Sequence, residues 1–139
     1  YTGVSVVSMM TAGWALDRFG TKQLMPVFQI PMAIGFLIFA YATEPAAVMA
    51  GFVCIAMTAG SNATLPAAFW ADTYGTAHIG AIKSLATAAM VLGSAIGPGV
   101  TGVLIDAGVG LETQFVAIAG YFVVTSALIG FGITRYGNG

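Results

Sequence analysis

Apolar positions in this chain come in long unbroken runs, and charged positions fall in small clusters between them. Five uncharged runs cover residues 1–16, 23–43, 45–71, 84–105 and 113–134. A helix that crosses a hydrocarbon core about 30 Å thick needs about 20 residues at a rise of about 1.5 Å each. The last four runs therefore predict transmembrane helices, and the first predicts a helix that is cut short. Spanning strands are excluded, because they would alternate polar and apolar residues over about ten positions, whereas these runs stay apolar throughout.

Polar residues inside the runs add a second pattern. In the third run, Cys54, Thr58, Ser61 and Asn62 recur at helical spacing and share one face near mid-span. Pro66 follows and removes the N–H that would bond the Asn62 carbonyl, which predicts a free acceptor beside that face. In the fourth run, Ser84, Thr87, Ser94 and Thr101 alternate spacings of three and four, with Pro98 on the same line. Both stripes suit the lining of a polar pathway, and both suit helix–helix packing, where small hydroxyl residues are common in membranes. The second and fifth runs carry little polarity and read as lipid-facing.

Composition makes the membrane setting firm. Charged residues are 6% of the chain and apolar residues 58%, against about 25% charged in soluble domains. The net charge of −1, with no basic patch, excludes nucleic acid as a partner. The single Cys54 rules out an internal disulfide and reads as a small buried hydrophobe. No cleavable signal sequence is visible at the opening; because Tyr1 is not an initiator Met and the first run is shorter than a spanning helix, the chain is expected to begin inside a helix of a larger protein.

Where the charges fall predicts orientation. Arg18, Lys22, Lys83 and Arg135 all lie on one side of the predicted helices, whereas Glu44, Asp106 and Glu112 lie on the other. The positive-inside rule makes the basic side, including the C-terminus, cytoplasmic. Trp14 and Trp70 at that side and Tyr41 at the other sit where interfacial aromatics prefer to lie.

Several motif matches are discounted by context. Gly97-Pro98-Gly99-Val100-Thr101-Gly102 fits a dinucleotide fingerprint but lies inside a membrane run with no preceding strand. Asn62-Ala63-Thr64 fits a glycosylation acceptor but lies at membrane depth. His78 and Lys83 read as interfacial, with the lysine snorkelling. Neither H-E-x-x-H nor G-x-S-x-G occurs, so the reading is not an enzyme, with no catalytic residue, metal or cofactor.

The loop Gly13-x-x-x-Asp17-Arg18-x-Gly20-x-Lys22 joins the first two runs. Gly20 permits a tight turn, Thr21 is placed to cap the next helix, and Asp17 and Arg18 are placed to pair with each other or with a neighbouring helix end. This loop resembles the signature loop of the major facilitator superfamily, with Thr21 where the fullest form has a basic residue. Gly93-x-x-x-Gly97-Pro98-x-x-Thr101-Gly102 is similar to the Gly-Pro helix motif of the same superfamily, with Thr101 in place of one glycine. The stretch from Tyr74 to Asp106 looks like the eleventh-helix region of bacterial members.

The resemblance implies an all-α, polytopic transmembrane bundle, a partial major-facilitator fold of about five transmembrane helices. On that reading residues 1–139 are a fragment of one transmembrane domain, helices eight to twelve of the C-terminal six-helix half without its first helix. The assignment to helices two to six stands beside it. The implied function is secondary active transport of a small solute by alternating access, in a multi-pass protein of a cell membrane such as the bacterial inner membrane. Implied partners are the substrate, the lipid bilayer and the N-terminal half of the same chain. Gly13, Asp17, Arg18, Gly20 and Lys22 would serve gating, whereas Gly93, Gly97, Pro98 and Gly102 would bend and pack their helix. Thr58, Ser61, Asn62, Ser84, Thr87 and Ser94 would line the cavity. The rival class is a non-transporting scaffold or assembly subunit, in which the polar stripes only join helices.

Overall fold

A computed structural model describes residues 1–136. Seven helices occur among them, and no strand: α1 Thr2–Phe19, α2 Thr21–Leu24, α3 Ile30–Tyr41, α4 Pro45–Ser61, α5 Leu65–Tyr74, α6 Ile79–Asp106 and α7 Leu111–Tyr136. Three stretches are long and apolar enough to cross a membrane: Pro45–Tyr74, Ile79–Asp106 and Leu111–Arg135. The two glycines that end α1 and α5, Gly20 at φ 78° and Gly75 at φ 72°, adopt a backbone region that side-chain-bearing residues rarely enter.

The second apolar run is not one helix. It divides into α2 and α3 around residues 25–29, because Pro26 and Pro31 each lack the N–H that would continue the ladder. Between them the Val27 amide bonds Leu24 at 3.1 Å and the Ile30 amide bonds Val27 at 3.0 Å, which tightens the backbone to a three-residue spacing. The third run divides likewise. α4 gives way to α5 across residues 62–64, just before Pro66, where the amides of Ala63 and Thr64 also reach three residues back. Pro98 has no such effect, and α6 runs helical through it.

α4 is central: one face packs on α1 and another on α3, and α3 in turn packs on α7. The buried apolar side chains are small, among them Ala12, Ala33, Ala40, Ala56 and Ala119. Close backbone approach replaces bulky burial. A Cβ on Gly60 would fall well inside contact distance of the Ser5 carbonyl, and Gly51 is covered by the Phe39 ring. This is how helices associate where the solvent is itself apolar: dispersion contacts and hydrogen bonds hold them, since burial from lipid gains little.

The second and fifth runs were expected to face lipid, but α3 and α7 are exposed on one side only. Their other faces form an extensive interface, in which Phe36 stacks on Phe122 at 6.0 Å between ring centroids and meets Phe115 at 5.9 Å. Phe39 joins Phe115 at 6.1 Å and Phe52 of α4 at 5.1 Å. Offset and tilted aromatic pairs of this kind contribute about 0.5–1.5 kcal/mol each beyond area burial. α6 is the opposite case: it touches α5 and α7 lightly, and none of its residues is buried.

Candidate functional site

The loop between α1 and α2 is built from a short charged segment that the Gly20 turn reverses. Asp17 is exposed and has no hydrogen bond or ion pair among the described residues. The Arg18 guanidinium lies over the rings of Trp14, at 5.5 Å, and Phe19, at 5.9 Å, so the expected pairing of Asp17 with Arg18 is replaced by cation–π contact. Thr21 does not cap its helix. Gly20 occupies the cap position, and the Thr21 hydroxyl donates instead to Asp72 Oδ2 at 2.9 Å, at the end of α5. Gly13 has open space beside it, and Lys22 stands in the short α2.

The α4 stripe separates into two roles. Buried Thr58 donates to the carbonyl of Phe28 at 3.2 Å, in the bend between α2 and α3. Pro31 and the three-residue turns around it deny that carbonyl its helical partner, so Thr58, one turn before α4 ends, supplies the donor in its place. Ser61 bonds its own helix at Met57, 2.9 Å away, and lies 3.3 Å from Ser8 Oγ of α1. Asn62 is exposed, at the point where α4 breaks. Thr58 and Ser61 therefore tie helices together, whereas Asn62 is left open, and Cys54 is half-buried.

On α6 the polar stripe is exposed. Ser84 and Ser94 donate to their own backbone, at Gly80 and Met90, both at 2.9 Å, and Thr87 faces outward. A Cβ at Gly93, Gly97 or Gly102 would meet nothing within 4 Å, so no packing partner for these glycines stands among the described residues. Gly93 and Gly97 instead line an open, almost wholly apolar groove of about 770 Å³ between α6 and α7. Its buried polar group, Gln114, is held by the Val109 carbonyl at 3.0 Å and the Thr101 carbonyl at 3.5 Å.

Sequence reasoning missed Ser8, whose hydroxyl donates to the Met57 carbonyl at 2.6 Å, and it missed Asp72 and Gln114. A signal for the first existed: Ser8-x-x-x-Ala12 and Ala56-x-x-x-Gly60 are both small-xxx-small patterns, and they face each other across α1 and α4. No group of three His, Cys, Asp or Glu among the described residues is placed to hold a metal.

The family model described as Major Facilitator Superfamily matches residues 1–136. No curated protein and no solved structure matches the chain.

Proposed function

Because this chain belongs to the major facilitator superfamily, a family of transporters, we propose that it is the C-terminal portion, helices eight to twelve, of a secondary carrier that moves a small solute by alternating access. The observation that carries the reading is the junction of α1 and α2. The loop from Gly13 to Lys22 is fastened to the end of α5 through Thr21 and Asp72, which is the kind of end-to-end contact a gate on one membrane face requires. Arg18, Lys22, Lys83 and Arg135 share that face, and the positive-inside rule makes it cytoplasmic.

Asn62 belongs to the solute pathway on this reading, with the outward hydroxyls of Ser84, Thr87 and Ser94 on α6. A neutral set of hydroxyls and an amide suits small organic acids, sugars or drug-like compounds. Lipid covers the exposed apolar side chains of α3 and α7, and the N-terminal half of the carrier faces α6. One observation favours the scaffold reading: Thr58 and Ser61 spend their hydroxyls on bonds within and between helices. Reconstitution of the full-length protein in vesicles, followed by uptake and efflux assays over those solute classes, separates the two. Saturable movement of one class supports the carrier, and folded protein inert to all of them supports the scaffold.

A further inference from the structure

α7 runs antiparallel to α3 and to the bend at residues 25–29 that precedes it: Phe36 stacks on Phe122 towards one end, and Pro26 of the bend faces Gly130 towards the other. Gln29 lies between Pro26 and Phe36, and Ser126 lies between Phe122 and Gly130, so the two polar residues stand at the same height. Both carry a buried side-chain oxygen, Gln29 Oε1 and Ser126 Oγ, with no hydrogen-bond partner among the described residues.

Ser126 is 8% exposed, and it differs from the other buried hydroxyls, Ser8, Thr21 and Thr58, each of which donates a hydrogen bond. Ser61, Ser84, Ser94 and Thr125 all donate to a carbonyl four residues back, whereas Ser126 leaves that bond unmade. An orphaned buried polar atom costs about 1–3 kcal/mol, and two at one level would burden an interface held by weak forces. The missing partner has to serve an acceptor-only amide oxygen and a hydroxyl that both donates and accepts. A third group stands three residues before Gln29 in the chain: the Ile30 amide bonds Val27, which leaves the Pro26 carbonyl without its usual donor.

We propose that a water molecule is bound between Gln29 and Ser126, donating to Gln29 Oε1 and accepting from the Ser126 hydroxyl, with the Pro26 carbonyl as its third partner. Two to four polar partners are what a buried water requires, and this level of the interface supplies three. A water fits better than a cation, because no charged group lies near to balance an ion: the acidic residues of the described chain sit at helix ends. The site also places an exchangeable partner beside the bend at residues 25–29, where α3 departs from its helical path.

Radiolytic hydroxyl labelling of the full-length protein in nanodiscs tests this, because a bound water generates the radical in place and oxidises the side chains around it. Half-buried Met25 and Phe122 should be labelled in the wild-type protein and should keep the oxygen isotope of the original solvent for a short time after mixing into isotopically heavy water. In the double variant Gln29→Met/Ser126→Ala, that labelling should fall at least threefold while labelling of exposed Trp14 is unchanged. Absence of labelling at both Met25 and Phe122 in the wild type overturns the proposal without reliance on any variant. A melting temperature that rises with sodium over choline in the wild type, and loses that rise in the double variant, overturns it in favour of a cation.

Discussion

Thr21 Oγ1 donates to Asp72 Oδ2 at 2.9 Å, which joins the turn between α1 and α2 to the last turn of α5 across 51 residues of sequence. Thr21 is 8% exposed and Asp72 is exposed, so the bond is half-sheltered and worth about 1 kcal/mol after solvent screening. Such an energy, present in one conformation and absent in another, changes their ratio about fivefold. Thr21→Val is expected to alter the transport rate of the full-length protein severalfold, whereas Thr21→Ser keeps the donor and the rate. Melting temperature should differ little between the three proteins, and equal rates would show that the contact gates nothing.

At Gly60, α4 closely approaches α1. A side chain there would press on the Ser5 carbonyl and the Met9 amide, and backbone cannot rotate out of the way as a flexible side chain would. Gly60→Ala is expected to cost about 1–3 kcal/mol, read as a lower melting temperature and a smaller yield of monodisperse protein. Gly93→Ala meets nothing within 4 Å among the described residues, so any loss of stability there reports a contact made outside them. Equal melting temperatures for Gly60→Ala and the wild type would mean that α1 and α4 are not held this closely.

The apolar runs made the helices legible, because about 20 uncharged residues leave the backbone no other way to satisfy its hydrogen bonds in lipid. Pro66 signalled a free acceptor at the Asn62 carbonyl, but the division of the third run into α4 and α5 was not read from it. Pro26 and Pro31 carried an equal signal for the division of the second run, but an uninterrupted apolar stretch hides it. Which faces of α3 and α7 meet each other was not legible at all: Phe36 and Leu37 look alike in composition, yet one packs on Phe122 and the other is exposed. In lipid, side chains that face the bilayer and side chains that face a helix are equally apolar. Thr21 and Asp72 were visible as residues, but their pairing depends on two turns that bring distant loops to one end of the bundle.

Asn62 is exposed where α4 breaks, and its neighbour Thr58 is buried and bonded to Phe28. In a Cys54→Ala background, Asn62→Cys should therefore react with a small water-soluble thiol reagent, with the rate reduced by bound substrate. Thr58→Cys in the same background should react at least tenfold more slowly. Protection of position 62 in every condition would place it in packing and remove it from the solute pathway.

No carboxylate of the described residues lies in mid-span. Asp17 and Asp72 fall in the last turns of α1 and α5, Glu44 precedes α4, Asp106 ends α6 and Glu112 lies in the first turn of α7. A carboxylate at membrane depth is costly and is kept where a proton relay needs one. If the carrier is proton-coupled, its relay carboxylate therefore lies outside residues 1–136. The variants Glu44→Gln, Asp106→Asn and Glu112→Gln should each retain solute accumulation driven by an imposed pH gradient, within about twofold of the wild-type rate, as expected for exposed charges worth under about 1 kcal/mol. Gradient-driven uptake in proteoliposomes of the full-length protein is the measurement. Loss of accumulation in one variant, with facilitated exchange of the same solute preserved, would move the coupling site into this segment.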